Sequence, residues 1–366
     1  MHLEKLSLIN FKNYAEADLE FINGINCFVG DNGVGKTNLL DAVHYLSFSK
    51  SFLNPIDSQN MMFDADLFVI QGTFQLKKKK EKVYCGVKKG QKKQFKRNKK
   101  EYKKLADHIG LLPVVIISPE DNNLIVEGSE VRRKFIDSII SQLDKVYLMN
   151  LIGYNKVLHQ RNALLKMFAE RGNFDNEALQ VWDKQLVDLG VEIYAKRKEF
   201  INEFTPEFQQ SYDFISGGLE NIELEYDSQL NNGAFDKLLD QAQDRDARLR
   251  YSSVGIHKDD LQFKIKGHPV KKFGSQGQQK SFVIGLKLAQ YNFIKAHKKF
   301  TPILLLDDIF DKLDSKRVEK LMKKVSGASH GQIFITHTHQ ERIKNILDNI
   351  EAEHKLFVID NGVIYQ

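Results

Sequence analysis

The chain has 366 residues, of which 42% are hydrophobic, and a formal net charge of +6. This length can bury a sizeable core and predicts two lobes. No apolar run approaches the roughly 20 residues that cross a membrane, and the N-terminus lacks a signal peptide's apolar core, so we expect a cytoplasmic protein. Cys27 and Cys85 are the only cysteines, which argues against a disulfide framework and a cysteine-based zinc site.

A glycine-rich loop follows the first predicted strands. Residues 3–8 and 17–21 alternate as half-buried strands do, and residues 25–29 form an apolar run typical of a buried strand. Helical spacing begins at residue 38. The eight residues between match the phosphate-binding pattern of a Gly, four residues and Gly-Lys-Thr: Gly30, Asp31, Asn32, Gly33, Val34, Gly35, Lys36 and Thr37.

This succession of strand, loop and helix predicts a site for ATP and Mg²⁺. The glycines let backbone N–H groups surround phosphate oxygens, and the helix N-terminus adds its positive dipole end. Lys36 can reach the β- and γ-phosphates, and the Thr37 hydroxyl can ligate Mg²⁺.

The next segment, residues 68–102, reads as strands with a lysine-rich hairpin. Residues 77–104 hold fifteen Lys or Arg and two Glu, against +6 for the whole chain, so the other residues are net negative. Such a concentration indicates a polyanionic partner, with nucleic acid the leading candidate. The alternative is a solvated hairpin that only aids solubility. The candidate DNA-binding residues are Lys92, Lys93, Lys96, Arg97, Lys99 and Lys100.

Two long helices are predicted after the apolar strand at residues 112–117. Apolar residues step by three or four from Phe135 to Leu158, and again from Trp182 to Phe204. Thr205-Pro206 has the form of a helix start, so we expect a new helix there. The pattern predicts a short antiparallel arm.

The C-terminal part alternates helices with short apolar strands, which predicts a mostly parallel sheet flanked by helices. We therefore expect a P-loop α/β head in two parts, residues 1–128 and 219–366, with an inserted helical arm at 129–218. The apolar strand from Pro302 ends at Asp307 and Asp308. With a phosphate loop on the same chain, Asp307 is predicted to hold Mg²⁺ and Asp308 to orient or deprotonate the attacking water.

Three further segments resemble parts of ABC-type ATPases. The sequence from Ser275 to Lys280 resembles their signature loop, in which a serine hydroxyl and a glycine amide, here Ser275 and Gly277, meet a nucleotide held by the other subunit. The alternative for Ser275 is a helix cap. Residues 311–314 match the loop that lines the subunit contact. His337 follows a strand where a γ-phosphate sensor is expected, with His339 equally close.

The chain as a whole resembles the RecF family of DNA replication and repair proteins. The similar segments occur in family order along nearly the whole chain: residues 10–14, 30–46, 118–121, 132–137, 255–261, 275–280 and 307–314. The family usually has Pro and Arg where Ile256 and Lys258 stand here. Lysine keeps the charge but not the planar fork of arginine.

This resemblance implies an ABC-type ATPase head with a helical arm. Such proteins form ATP-dependent homodimers, bind double-stranded DNA and hydrolyse ATP slowly. It also implies mediator partners of the RecO and RecR type, with loading of RecA recombinase at single-strand gaps.

Four other classes of protein can be distinguished from this interpretation by features of the sequence. A transporter subunit would have its signature loop much closer to the phosphate loop than Ser275 is to Lys36, which lies 239 positions earlier. An SMC- or Rad50-like clamp would need longer coiled coils. An OLD-type nuclease-associated ATPase would need a further acidic domain. A non-catalytic DNA-binding protein would not need Asp307 and Asp308.

Overall fold

The computed structural model describes residues 1–218, 220–310, 315–326, 331–348, 353–360 and 362–365. Its strands are β1 (His2–Phe11), β2 (Tyr14–Glu20), β3 (Ile25–Val29), β4 (Leu67–Leu76), β5 (Lys79–Lys88), β6 (Gln94–Arg97), β7 (Lys100–Glu101), β8 (Val114–Ile117), β9 (Ile222–Asp227), β10 (Asp260–Ile265), β11 (His268–Pro269), β12 (Ile303–Asp307), β13 (Ile333–His337), β14 (His354–Asp360) and β15 (Val363–Tyr365). Its helices are α1 (Lys36–Phe48), α2 (Asn123–Val126), α3 (Ser129–Leu143), α4 (Lys145–Arg171), α5 (Asn176–Ser216), α6 (Phe235–Leu249), α7 (Val270–Phe273), α8 (Gln276–Lys298), α9 (Ser315–Ser326) and α10 (Gln340–Asp348). Within these ranges, no helix is both long enough and apolar enough to span a membrane.

The chain divides into two compact units, one of Met1–Asp121 with Ile284–Gln366 and one of Asn122–Val283. The second unit is larger than the predicted arm of residues 129–218. It also contains a separate three-stranded sheet, in which β10 pairs with β9 on one side and with β11 on the other. That sheet is tied to α3 by Arg132, whose guanidinium donates to both carboxylate oxygens of Asp260.

Two six-stranded sheets build the first unit. One is antiparallel, in the order β2-β1-β4-β5-β6-β7. The other has the order β15-β14-β3-β13-β12-β8 and is parallel except for β15. The predicted α/β head with a mostly parallel sheet is therefore confirmed. The antiparallel sheet was not predicted, because the sequence pattern indicates its strands but not which strands pair.

Helix α1 is buried on nearly every side, with Leu39, Val43 and Leu46 fully enclosed. Side chains from both sheets join the same core, among them Leu6 of β1 and Phe334 of β13. A helix covered on two faces has no need of a polar stripe. The start of α1, and with it the loop that precedes it, is thus held from both sides.

In the second unit, α4 and α5 form the predicted antiparallel pair. Arg161 of α4 bonds to Asp183 of α5, whereas Tyr147, earlier in α4, bonds to Arg197, later in α5. The prediction of one continuous helix from Phe135 to Leu158 is wrong, because α3 ends at Leu143 and α4 begins at Lys145. Between them the Asp144 carboxylate accepts the Tyr147 N–H at 3.0 Å, and such an N-cap starts a new helix.

The predicted helix start at Pro206 is also wrong, because α5 runs through this residue. Proline removes one intrahelical hydrogen bond and usually kinks or ends a helix. Here the preceding Thr205 donates its hydroxyl to the Ile201 carbonyl at 2.7 Å. The buried ring of Phe204 packs against Phe135 of α3, and the buried ring of Phe208 packs against Phe282 of α8, with ring centroids 6.2 Å and 4.8 Å apart. This tertiary packing outweighs the local signal.

Gly255 allows residues 252–259 to pack inside the second unit. Its φ is 130°, and a Cβ there would lie 2.4 Å from the Tyr154 hydroxyl. The same hydroxyl lies 2.8 Å from His257 Nδ1, and the Ile256 carbonyl accepts from Arg197 at 2.8 Å. A side chain at position 255 would therefore disturb both contacts.

We predict that Gly255→Ala destabilises the second unit by about 1–3 kcal/mol, because the substitution combines a left-handed backbone with a steric clash. The measurement is urea unfolding followed by circular dichroism. Gly233→Ala is the matched control, since Gly233 has no positive φ and its nearest neighbour would lie at 3.8 Å. Equal midpoints for the two variants would contradict the prediction.

Candidate active site

The carboxyl ends of three neighbouring parallel strands bring the predicted site residues together. In the pairing register, Val29 of β3 faces His337 of β13, and Thr336 of β13 faces Asp307 of β12. The loop after β3, the acid that ends β12 and the histidine that ends β13 therefore meet at one edge of the sheet. Ligands of open parallel sheets bind at this edge.

Gly35 is required by close packing at the end of the phosphate loop. Its φ is 109°, and a Cβ there would lie 2.2 Å from Asn13 Nδ2. Asn13 follows β1 and holds the loop from outside. Its Nδ2 donates to the Val34 carbonyl at 2.9 Å, and its Oδ1 accepts from Asn38 at 2.7 Å. The Tyr14 hydroxyl donates to the Gly35 carbonyl at 3.1 Å.

Sequence reasoning assigned no role to Asn13 at this site. The only signal was that residues 10–14 resemble a family segment. Nothing in that segment shows that it lies against the phosphate loop, since 21 residues separate Asn13 from Val34.

The Lys36 ammonium lies across its own loop and donates to the carbonyls of Gly30 and Asp31, both at 2.8 Å. Burial lowers the pKa of Lys36, while the nearby carboxylates of Asp308, Asp307 and Asp31 oppose this shift. The Lys36 ammonium thus lies between the phosphate loop and the acids. A positive charge at this position could compensate the negative charge of a bound phosphate.

Asp307 is buried and accepts two hydroxyl hydrogen bonds on the same oxygen. Thr37 Oγ1 donates to Asp307 Oδ1 at 2.8 Å, and Thr336 Oγ1 donates to it at 2.7 Å. Burial raises the pKa of Asp307, and these two hydrogen bonds oppose the shift. The two residues predicted to hold Mg²⁺, Thr37 and Asp307, are therefore in direct contact.

Asp308 lies next to His337. Its Oδ1 has no hydrogen-bond partner within the described part of the chain, and His337 Nδ1 is 4.0 Å away. His337 is fully buried, whereas His339 is exposed. The two histidines, equivalent in the sequence, therefore differ in their distance from solvent.

The site fits a polyphosphate and a divalent cation. A cavity of about 180 Å³ is lined by residues of the phosphate loop and of both neighbouring strands: Asn32, Gly33, Gly35, Lys36, Thr37, Asn38, Asp308 and Thr336. An ammonium and a helix N-terminus can bind phosphate oxygens, while a hydroxyl beside carboxylates suits Mg²⁺.

Ser275 and Gly277 lie in the second unit, at the start of α8. The Ser275 hydroxyl accepts the Gln278 N–H at 3.2 Å, and the Gln278 side chain accepts the Ser275 N–H at 2.7 Å. This reciprocal pair is a capping box. Ser275 is exposed and its hydroxyl keeps a proton to donate, so the cap and a phosphate contact are compatible. The predicted contact loop, residues 311–314, lies outside the described residues.

The six candidate DNA-binding residues fall into two groups. Lys92, Lys99 and Lys100 are exposed, and no ion pair joins them to an acid in the described ranges. Lys93 instead forms an ion pair with Asp57 at 2.8 Å. The remaining two are partly covered: Arg97 donates to both carboxylate oxygens of Glu81, and Lys96 lies over the Tyr84 ring.

A phosphate loop after β3 and a pair of acids at the end of β12 lie at the same edge of one parallel sheet. Together with a capped, signature-like helix start later in the chain, they define an ABC-type ATPase head. The family model described as "RecF/RecN/SMC N terminal domain" matches residues 2–363. The solved Smc head bound to the C-terminal winged-helix domain of ScpA is similar over 100% of this chain and 96% of that one, with a TM-score of 0.57 and 14% identity. That likeness supports the fold alone.

The chain belongs to the RecF family. It is 52% identical to the DNA replication and repair protein RecF of Flavobacterium johnsoniae over 98% of this chain and 99% of that protein. It is 50% identical to RecF of Phocaeicola vulgatus over 100% of this chain and 98% of that protein. The solved structure of the recombination mediator protein RecF with ATP, in the RecFOR pathway, matches 100% of this chain and 97% of that chain, with a TM-score of 0.90 and 30% identity.

We predict that Asn13→Ala weakens ATP binding by up to about 30-fold, because the loop and the helix start lose two external hydrogen bonds worth roughly 1 kcal/mol each. Asn13→Asp should be weaker still, since it puts a negative charge beside the phosphates. Calorimetric titration with ATP tests both variants. Asn98→Ala, in the hairpin between β6 and β7, is the control. Unchanged affinity in Asn13→Ala would show that the loop holds its shape unaided.

Proposed function

We propose that this chain is an ATP-dependent double-stranded DNA-binding protein of recombinational repair and replication. It dimerises on ATP, hydrolyses ATP slowly and helps to load recombinase at single-strand gaps. The observation that carries the proposal is the hydrogen bond between Thr37 and Asp307, which joins the phosphate loop to the paired acids. The relatives named DNA replication and repair proteins, and the RecF structure with ATP, support the same role.

The site residues divide the work of hydrolysis. Lys36 and the loop amides would bind the β- and γ-phosphates. Mg²⁺, when bound by Thr37 and Asp307, would offset phosphate charge. Asp308 would orient the attacking water and take its proton, as the bond between the γ-phosphorus and the bridging oxygen breaks to give ADP and phosphate. The burial of His337, and its 4.0 Å distance from Asp308, favour it over the exposed His339 as the γ-phosphate sensor.

Dimerisation would complete each site. Ser275 and Gly277 of one protomer would contact the ATP held by the phosphate loop of the other, giving a two-fold dimer with two composite sites. ATP would then stabilise the dimer by mass action. The exposure of Ser275 supports this role, because the hydroxyl is accessible to a partner.

The partners follow from the DNA-repair assignment and the family. Double-stranded DNA would bind the exposed lysines of the hairpin, and mediators of the RecR and RecO type and RecA recombinase are proposed by family resemblance. The length of α5, 41 residues, corresponds to about 60 Å and supports a short arm over a long structural clamp.

We predict that Ser275→Arg binds ATP normally but stays monomeric with ATP and loses most hydrolysis, because it adds bulk and charge at the subunit contact.

We predict that Asp308→Asn has the opposite effect on assembly. It should keep Asp307 for Mg²⁺ and bind ATP, but hydrolyse it more slowly than wild type and accumulate as dimer. Sedimentation with ATP, with ADP and without nucleotide distinguishes the two variants. A stable, active Ser275→Arg dimer would reduce Ser275 to its helix-capping role.

We predict that only the exposed lysines contribute to the salt dependence of DNA binding. Replacing Lys92, Lys99 and Lys100 with Gln should reduce the slope of log K against log salt by up to about three, since each phosphate contact contributes roughly one. Stability should be unchanged.

The matched control is Lys93→Gln with Arg97→Gln, which should lower stability and leave the slope nearly unaltered because Asp57 and Glu81 already neutralise these cations. Fluorescence anisotropy with duplex DNA at several salt concentrations provides the slopes. Equal slopes for wild type and the triple variant would show that these lysines do not contact DNA phosphates, and would favour the alternative that the hairpin only aids solubility.

A further inference from the structure

One hydroxyl at the end of β13 connects both acids of the site. Thr336 Oγ1 donates to Asp307 Oδ1 at 2.7 Å and accepts the backbone N–H of Asp308 at 2.9 Å. The side chain is buried, with 1% of the residue exposed. Sequence reasoning treated Thr336 only as the last residue of a strand before the candidate sensor histidine.

The direction of both hydrogen bonds follows from the chemistry of the groups. A backbone N–H can only donate, so the Thr336 oxygen must accept from Asp308. The single hydroxyl proton is then available for Asp307 Oδ1. Thr37 donates to the same oxygen. Asp307 Oδ2 takes neither of these bonds, so the carboxylate is oriented by two hydroxyls on one side.

The second bond supports an unfavourable backbone conformation. Asp308 has a φ of 48°, in the left-handed region that costs a non-glycine residue free energy. Its N–H is fixed by Thr336, and its carboxylate lies near His337. Without the Thr336 hydroxyl, the partly buried N–H of Asp308 would lose its acceptor, and the backbone would gain free energy by relaxing towards an ordinary conformation.

We propose that Thr336 is a positioning residue that orients Asp307 for Mg²⁺ and holds Asp308 in its left-handed conformation. The inference rests on the proposed ATPase function. Thr336 acts through the two acids. Because one hydroxyl serves both of them, its removal weakens metal binding and turnover together, whereas nucleotide contacts made by Lys36 remain.

The test compares Thr336→Val, which keeps the branched shape and removes the hydroxyl, with Thr336→Ser, which keeps the hydroxyl. For Thr336→Val, we expect the Mg²⁺ concentration for half-maximal ATP binding to rise about 10- to 100-fold and kcat to fall by a similar factor, as is usual when a partner of a metal ligand is lost. Calorimetric ATP affinity without Mg²⁺ should be unchanged. Thr336→Ser should stay near wild type.

Thr205→Val is the matched control, because it removes a hydroxyl that donates to the Ile201 carbonyl within α5. If Thr336→Val does not fold, Thr336→Ala replaces it and should show the same losses. The inference is overturned if the variant without the hydroxyl has the Mg²⁺ dependence and kcat of wild type. It is also overturned if that variant and Thr336→Ser are impaired to the same extent. A wild-type protein that neither binds nor hydrolyses Mg²⁺-ATP would instead overturn the proposed function itself.

Discussion

The active site depends on one buried carboxylate oxygen, Asp307 Oδ1. It receives the hydroxyl of Thr37, 270 positions earlier in the chain, and the hydroxyl of Thr336 on the adjacent strand. Burial removes water from this acid and raises its pKa, so hydrogen bonds within the protein must replace hydration if the charge is to be kept. The same bonds hold the end of β12 against the start of α1. The candidate metal-binding residues and the phosphate loop are therefore joined by one set of hydrogen bonds.

The second unit is organised around buried guanidinium groups. Arg197 is almost wholly enclosed and donates to Asp137, to Asp259 and to the Ile256 carbonyl. Arg132 joins Asp260 from the same helix that carries Asp137. Removing one partner of such a buried pair leaves an uncompensated charge, which is strongly destabilising. Two segments that resemble the RecF family, residues 132–137 and 255–261, thus meet in one network that holds the small sheet against the helices.

Local patterns predicted most elements because their causes are local. The apolar strands before Gly30 and before Asp308 were recognised from composition, and the periodic apolar residues of α4 and α5 from their spacing. The misses have a different origin. The break at Asp144 needs only one capping side chain within a continuing apolar stripe. The continuation through Pro206 depends on the packing of Phe204 and Phe208 against α3 and α8, and no local pattern reveals these contacts.

The residue types of the candidate site could be predicted from the sequence: a glycine loop with Lys36 and Thr37, and two acids at a strand end. They could be predicted because each motif consists of residues within a few positions of one another. The hydrogen-bond and ion-pair partners of these and other side chains could not be predicted. Asn13 braces the loop, Thr336 joins both acids, and Lys93 and Arg97 are neutralised while Lys92 remains exposed. A side chain's partner is set by proximity in space, and strand pairing brings together residues that are remote in the chain.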